Sequence, residues 1–225
     1  MNTVKSALQA IQTRIATAAN AAGRAPGAVQ LLAVSKTFGA DAIRAAAAAG
    51  QRAFGESYVQ EALVKITALA DLSLSWHFIG PVQRNKTRAL AEHFDWVQSV
   101  DRAVIAQRLN DARPATLPPL NVCLQVNISG EASKSGVMPA ELPALAQVVA
   151  QLPRLRLRGL MAIPEAGAAS DLQHAQFRRL RQLCDDLDMP LDTLSMGMSD
   201  DLEAAIAEGA TMVRVGSAIF GRRAK

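Results

Sequence analysis

The segment from Leu31 to Gly50 reads LLAVSKTFGADAIRAAAAAG and is the clearest guide to the fold. It begins with a short apolar run, which is typical of a strand that is buried on both faces. It continues as an alanine-rich stretch and ends at a glycine, the residue most common just beyond a helix. The segment therefore predicts one β-strand followed by one α-helix.

The same order of strand and helix recurs seven more times along the 225 residues. We predict strands at Leu31–Ser35, Arg52–Gly55, Trp76–Gly80, Asp95–Val100, Asn121–Asn127, Leu157–Ile163, Thr193–Met196 and Thr211–Gly216. The first helix ends at Ala49, and later ones are predicted at Glu56–Ala70, Arg84–His93, Arg102–Ala112, Pro139–Gln151, Asp171–Leu187, Asp200–Glu208 and, as a short tail, Ala218–Arg222.

One more helix is predicted before the first strand, because Val4, Leu8, Ile11 and Ile15 are spaced as one face of an amphipathic helix. Buried strands that alternate with helices indicate a parallel sheet. Eight such units predict an α/β fold, a (β/α)8 TIM barrel with an extra N-terminal helix, in which residues 1–225 form a single domain. An open doubly wound sheet is the alternative, and no GxGxxG motif follows the first strand to support it.

The composition excludes several classes of protein. The net charge is +4 but aromatic residues make up only 4% of the chain, so we expect no nucleic-acid partner. No apolar run approaches the roughly 20 residues of a membrane span, and no signal peptide is visible, so we expect no membrane partner and a cytoplasmic location. Two cysteines without CxxC spacing and three histidines without ligand spacing predict neither a disulfide scaffold nor a metal site.

Lys36 is the most informative polar residue. It follows the first strand and shares a face with Leu32 and Val34, so it should point inward at the C-terminal mouth of the barrel, where active sites lie in this fold. Partial desolvation there would lower the pKa of the lysine and favour the neutral amine that forms a Schiff base with an aldehyde. The alternative is an ordinary strand-end lysine that extends to solvent.

Two loops near the end of the chain have the composition of anion sites. Gly197 and Ser199 follow the seventh strand, and Gly216 and Ser217 follow the eighth. Glycine lets backbone N–H groups approach an anion, and the loops after strands 7 and 8 commonly bind phosphate in these barrels. Ordinary turn and helix-capping chemistry is the alternative for each loop.

Arg214 alternates with Val213 and Val215, so it should project into the barrel, toward either a carboxylate or a ligand. Closure of the barrel would place the last strand beside the first, and Lys36 near Arg214 and Gly216. Pyridoxal 5′-phosphate fits this group. Its aldehyde would meet Lys36, its phosphate the serine and glycine loops, and its ring nitrogen Arg214.

The sequence resembles the pyridoxal phosphate homeostasis proteins, which are single-domain relatives of the alanine racemase barrel. The resemblance covers nearly the whole chain and rests on seven motifs: AVSKT at 33–37, FGESYVQE at 54–61, WHFIGPVQRNK at 76–86, VNISG at 126–130, GLM at 159–161, SMGMSD at 195–200 and VRVGSAIFG at 213–221.

The resemblance implies a set of cofactor-binding residues: Lys36, Ser57, His77, Met161, Ser199, Arg214, Gly216 and Ser217. Lys36 would hold the cofactor covalently, Arg214 would face its ring nitrogen, and His77 and Met161 fall in motifs near it. Ser57 stands where the family usually has asparagine, and Ser217 where it usually has threonine.

The resemblance also implies a function: carrying or buffering pyridoxal phosphate in vitamin B6 and amino- or keto-acid homeostasis, with no catalytic residue. Possible partners are apo enzymes that depend on the cofactor, and a monomer is expected. Alanine racemase uses a tyrosine of its second domain as a second base, whereas the single tyrosine here, Tyr58, lies in the second strand–helix unit. A racemase of low activity and a Schiff-base aldolase acting on a sugar phosphate are the alternatives.

Overall fold

Eight parallel strands form a closed barrel in sequential order. The computed structural model describes residues 3–25, 27–131, 134–164 and 169–221. The strands are β1 (Gln30–Val34), β2 (Ala53–Glu56), β3 (Ser75–Phe78), β4 (Trp96–Val100), β5 (Leu120–Gln125), β6 (Leu155–Met161), β7 (Thr193–Ser195) and β8 (Met212–Val215). The pairing of β8 with β1 confirms the predicted TIM barrel, and the open-sheet alternative is wrong.

Helices follow the strands and cover the outside of the barrel. They are α1 (Val4–Ala21), α2 (Ala40–Ala48), α3 (Val59–Ala68), α4 (Thr87–His93), α5 (Ala103–Ala112), α6 (Leu142–Ala150), α7 (Ser170–Asp185), α8 (Leu202–Ala207) and α9 (Ser217–Phe220), with a 3₁₀ turn at Arg84–Lys86 before α4. In the described part of the chain, no helix is long and apolar enough to cross a membrane.

Several predicted boundaries are wrong by a few residues. Glu56 ends β2 and does not begin a helix, and α6 begins at Leu142, not at Pro139. The predicted tail helix begins one residue earlier, at Ser217, and ends at Phe220, while Arg222 lies outside the described residues. Such shifts arise because the residues that flank an element belong to its loops and caps, where local pattern is weakest.

The extra N-terminal helix α1 packs across the place where the barrel closes. Its buried face includes Leu8, Ile11 and Ile15, as the sequence predicts, and it lies against α8 and α9. Arg14 on the same helix donates two hydrogen bonds to the Glu203 carboxylate of α8, both 2.9 Å long. The helix therefore ties the last units of the chain to its beginning.

The side chains of β1 alternate between two environments. Leu31 and Ala33 belong to the large core between barrel and helices, whereas Leu32 belongs to a small apolar cluster inside the barrel. Ala53 of β2 and Met212 of β8 complete that inner cluster. The alternation confirms the predicted inward face of β1, which is the face that leads to Lys36.

Replacing Gly159 with alanine should destabilise the barrel. A Cβ atom at this position would lie 1.8 Å from the backbone oxygen of Thr193, so β6 and β7 would have to separate. We expect Gly159→Ala to lower the free energy of unfolding by about 3 kcal/mol or more, measured by urea denaturation. Gly39→Ala is the control, since nothing lies within 4 Å of its added Cβ, and it should cost less than about 1 kcal/mol. Equal effects of the two variants would contradict the close approach.

Candidate functional site

Five of the predicted site residues lie at the C-terminal mouth of the barrel. Lys36 and Ser57 follow β1 and β2, Ser199 follows β7, and Gly216 and Ser217 follow β8. Ser217 is exposed and the other four are half-buried. Because β1 pairs with both β2 and β8, the segment that carries Lys36 is flanked by Ser57 on one side and by Gly216 on the other.

Gly216 lies where β8 comes closest to the end of β1. An added Cβ atom would be 3.0 Å from the Val34 backbone oxygen and 3.3 Å from the Val34 Cβ. A side chain here would therefore press against the strand that ends two residues before Lys36. Its absence leaves the backbone of residues 216–217 uncovered by a side chain at position 216.

The loop between β7 and α8 is held from both sides. Gly197 has a positive φ of 91°, and a Cβ atom there would lie 2.5 Å from the Ala205 Cβ, so only glycine fits. The Arg14 Nη2 atom donates a 3.2 Å hydrogen bond to the Ser199 backbone oxygen. The half-buried Ser199 hydroxyl is thus presented on a constrained loop, and α1 contributes to its placement.

A buried ion pair lies beside the peptide that precedes Lys36. The Lys65 Nζ atom is 2.8 Å from the Glu56 Oε1 atom, and the two side chains are 6% and 0% exposed. Lys65 Nζ also donates to the Ser35 backbone oxygen at 2.9 Å, and the Ser35 hydroxyl donates to Glu56 Oε1 at 2.6 Å. Burial raises the pKa of the Glu56 carboxyl, against the effect of its hydrogen bonds with Lys65 and Ser35.

The residue after Lys36 is held by the same group of side chains. Thr37 adopts a left-handed backbone conformation with φ of 69°, which costs free energy in a non-glycine residue. Its N–H donates to the Glu61 Oε1 atom at 2.6 Å, and Glu61 in turn pairs with Lys65. Contacts of the Lys65 cluster (Ser35, Thr37, Glu56, Glu61 and Lys65) therefore fix the backbone on both sides of Lys36.

Sequence reasoning missed this cluster. A signal for Lys65 was present, since it follows the buried residues Val59 and Ala62 at helical spacing and so lies on the buried face of α3. A lysine on a buried face needs an anionic partner, and Glu56 at the end of the neighbouring strand supplies one.

Arg214 points into the barrel, as predicted, and is 4% exposed. Its Nη1 atom donates to the backbone oxygen and the hydroxyl of Ser195, at 2.6 and 2.9 Å, and its Nη2 atom donates to the Ala162 oxygen at 2.8 Å. No carboxylate of the described residues forms an ion pair with it. Burial lowers the pKa of Arg214 to about 10, so the guanidinium stays protonated at neutral pH.

Met161 ends β6, is fully buried and is paired in register with Ser195 of β7. Its neighbours Leu160 and Ala162 belong to the core beneath the helices, so alternation directs Met161 into the barrel. Met161 therefore lies in the wall that also carries the acceptors of Arg214.

His77 lies deeper in the barrel than the mouth residues. It is 1% exposed, it is in register with Trp96 at the start of β4, and its ring stacks on that of Trp96 with centroids 5.0 Å apart. Its Nδ1 atom is 2.9 Å from Gln98 Nε2 and its Nε2 atom is 3.2 Å from Ser75 Oγ. Both ring nitrogens are thus engaged inside the barrel, and burial lowers the pKa of His77 to about 3, so the ring is neutral.

In the described part of the chain, no group of three or more histidine, cysteine or acidic side chains is placed to hold a metal ion.

The fold and the arrangement of the mouth define a class of protein, the barrels of the alanine racemase N-terminal domain type. Residues 6–224 match the family model of the alanine racemase N-terminal domain. The solved alanine racemase of Corynebacterium glutamicum shares the fold, with a TM-score of 0.68 and 19% identity, over 97% of this chain and 62% of the racemase.

More similar proteins narrow the class. The pyridoxal phosphate homeostasis protein of Pseudomonas aeruginosa is 66% identical over 99% of this chain and 97% of its own length, and that of Escherichia coli K12 is 55% identical over 99% and 98%. The structure of PipY from Synechococcus elongatus with pyridoxal phosphate bound has a TM-score of 0.81 and 42% identity, and covers 92% of this chain and 100% of PipY. The chain belongs to the pyridoxal phosphate homeostasis protein family, which confirms the resemblance seen in its motifs.

Removing Lys65 should destabilise the protein strongly, because Glu56 would remain buried without its counter-charge. We expect Lys65→Met to lower the free energy of unfolding by about 3–5 kcal/mol in urea denaturation. Arg44→Met is the matched control, since its ion pair with Asp71 is on the surface, with side chains 46% and 58% exposed, and its loss should change little. A Lys65 variant as stable as the Arg44 variant would contradict a structural role for the cluster.

Proposed function

We propose that this chain is a pyridoxal 5′-phosphate-binding protein that carries or buffers the cofactor and does not turn over a substrate at an appreciable rate. The observation that carries the proposal is the pairing of β8 with β1, which brings Gly216 against Val34, two residues before Lys36, and sets Arg214 beside Leu32 inside the barrel. The names of its relatives and the cofactor in the PipY structure support the proposal.

The residues at the mouth fit the cofactor. Lys36 would attach to the aldehyde with loss of water, while Ser199, Gly216 and Ser217 would bind the phosphate through hydroxyl and backbone donors. The close approach at Gly216 is the feature that a side chain would fill, and the chain places glycine there. Ser57 and Met161 would border the ring, and His77 would support the site from below, through Gln98.

The cofactor supplies an aldehyde that condenses with amines and a ring that can withdraw electrons. Arg214 limits the ability of the ring to withdraw electrons. A guanidinium that keeps its charge at neutral pH opposes protonation of a ring nitrogen beside it, and an unprotonated ring is a weak electron sink. The arrangement therefore favours holding the cofactor over driving reactions at the α-carbon of an amino acid.

The position of Tyr58 also supports a carrier. Racemisation with two bases needs a second base on the opposite face of the cofactor. Tyr58 directly follows Ser57 but is 56% exposed, and the single tyrosine of the chain is therefore largely in solvent.

We further propose that residues 1–225 act as a single domain and a monomer in the cytoplasm, and that apo enzymes dependent on the cofactor receive it from this protein without any nucleic-acid or membrane partner. The thiols of Cys123 and Cys184 are free, which suits a reducing compartment. The predicted site residues at the mouth lie on loops at one end of the barrel, which suits a cofactor that must enter and leave.

Borohydride trapping tests the attachment at Lys36. The protein incubated with pyridoxal phosphate should absorb near-ultraviolet or visible light, and reduction should add the mass of the reduced cofactor to the peptide that contains Lys36. Lys36→Ala should retain at least tenfold less cofactor after gel filtration, because the covalent bond is lost. Lys5→Ala, on the exposed face of α1, is the control and should retain it fully. A colourless wild-type protein, or mass on another lysine, would overturn the proposal.

Deuterium exchange at the α-carbon of D- and L-alanine separates a carrier from a racemase. We expect the loaded protein to exchange this proton far more slowly than the roughly 1–10³ s⁻¹ typical of enzymes, because the ring is a weak electron sink and Tyr58 is largely in solvent. Exchange within that range, abolished in Lys36→Ala, would establish the racemase instead. Trapping of a sugar phosphate by borohydride without added cofactor would establish the aldolase.

A further inference from the structure

The interior of this barrel is unusually polar on one side. Barrels of this fold are normally filled by layers of branched apolar side chains. Here the buried inner cluster contains only Leu32, Ala53 and Met212 of the described residues. Much of the remaining space is crossed by a hydrogen-bonded chain, which we call the interior chain and which consists of Arg214, Ser195, Gln98, His77 and Ser75.

The chemistry of each group fixes the direction of the hydrogen bonds. A guanidinium only donates, so Arg214 Nη1 donates to Ser195 Oγ over 2.9 Å. An amide oxygen only accepts, so the Ser195 hydroxyl donates to Gln98 Oε1 over 2.6 Å. Gln98 Nε2 then donates to a ring nitrogen of His77 over 2.9 Å.

The same rules fix the direction of the last bond of the interior chain, between His77 and Ser75. Because His77 is neutral and accepts at Nδ1, its proton lies on Nε2, which donates to Ser75 Oγ over 3.2 Å. Every bond of the interior chain is therefore donated away from Arg214. Hydrogen bonds aligned in this way polarise one another, and their negative ends face the cation.

The backbone directs Gln98 into this chain. The pairing of β4 with β5 shifts register between Val97, which faces Val122, and Val100, which faces Leu124. Such an irregularity changes the direction of the side chains it contains. Gln98 is fully buried and points inward, while the Ser99 hydroxyl bonds to the Gly80 backbone oxygen.

The neutral acceptors of the interior chain and a carboxylate would affect the charge of Arg214 differently. A carboxylate beside Arg214 would satisfy the guanidinium but also cancel much of its charge. Neutral acceptors satisfy the buried cation and leave its charge to act on whatever lies at the mouth. The cost is that the position of Arg214 depends on a chain of neutral contacts, of which Gln98 is the central member.

We propose that Gln98 is a positioning residue, which acts through Ser195 to hold Arg214 against the ring nitrogen of the bound cofactor. This inference rests on the proposed function, because it requires pyridoxal phosphate at the mouth. Gln98 reaches Arg214 only through Ser195, so it would act without touching the cofactor. Its influence should therefore be confined to the ring nitrogen and should spare the aldehyde and the phosphate.

An analogue of pyridoxal phosphate with a carbon atom in place of the ring nitrogen tests this restriction. Gln98→Met keeps the size of the side chain and removes its hydrogen bonds. We expect it to weaken the binding of pyridoxal phosphate by about tenfold, the scale of one charged hydrogen bond, and to shift the absorbance maximum of the bound cofactor. Binding of the analogue should change by less than about twofold, since the analogue makes no contact that depends on Arg214 charge.

Gln51→Met is the matched control. Gln51 is also a buried glutamine, and its Nε2 atom donates to the backbone oxygens of Leu31 and Ala53 at 2.9 and 2.7 Å, outside the interior chain. Its variant should lose stability but bind both ligands as the wild type does. Should Gln98→Met fail to fold, Ser195→Ala breaks the interior chain at the next link and is expected to show the same selective loss.

The outcomes are distinct. Equal weakening of both ligands, or unchanged affinity and absorbance for pyridoxal phosphate, would overturn the role of Gln98 and leave the proposed function standing. A wild-type protein that binds neither ligand would overturn the proposed function and this inference with it.

Discussion

The pairing of β8 with β1 is the contact on which the rest of the structure depends. Four residue pairs, from Gln30 with Met212 to Ala33 with Val215, join segments that are far apart in the sequence. This pairing sets Arg214 beside Leu32 inside the barrel and brings Gly216 against the end of β1. Helix α1 covers the junction, and its Arg14 reaches the loop that carries Ser199. The candidate site therefore forms only when the first and last units of the barrel meet.

Two buried cations illustrate how the same type of charge is used differently. Lys65 is paired with two carboxylates, Glu56 and Glu61, which neutralise its charge within the protein. These contacts hold the backbone around Lys36. Arg214 is surrounded by carbonyl oxygens and a hydroxyl, which satisfy its donors without neutralising it. The two cations are equally buried, so the difference follows from the charge of their acceptors. A buried cation needs hydrogen-bond acceptors in either case. Only neutral acceptors leave its charge free to interact electrostatically with a ligand.

The sequence predicts the barrel well because alternating apolar strands and amphipathic helices are local patterns. Leu32 and Val34 share a face with Lys36, and Arg214 alternates with Val213 and Val215, so both polar residues are predicted to point inward. Contacts between strands that are far apart in the sequence leave no such local pattern. Gln98 is one of two adjacent polar residues in an otherwise apolar strand, and its role emerges only when its side chain meets Ser195 of β7. The depth of His77 likewise depends on its register with Trp96 and not on its motif.

A crystal structure of the protein with pyridoxal phosphate would show where the cofactor binds and which residues hold it. We expect continuous density between the Lys36 Nζ atom and the aldehyde carbon of the cofactor, a phosphate bound by the loops at Ser199 and Ser217, and the Arg214 guanidinium against the ring nitrogen. A cofactor bound at the other end of the barrel, attached to a different lysine, or seated at the mouth with its ring nitrogen turned away from Arg214 would contradict it.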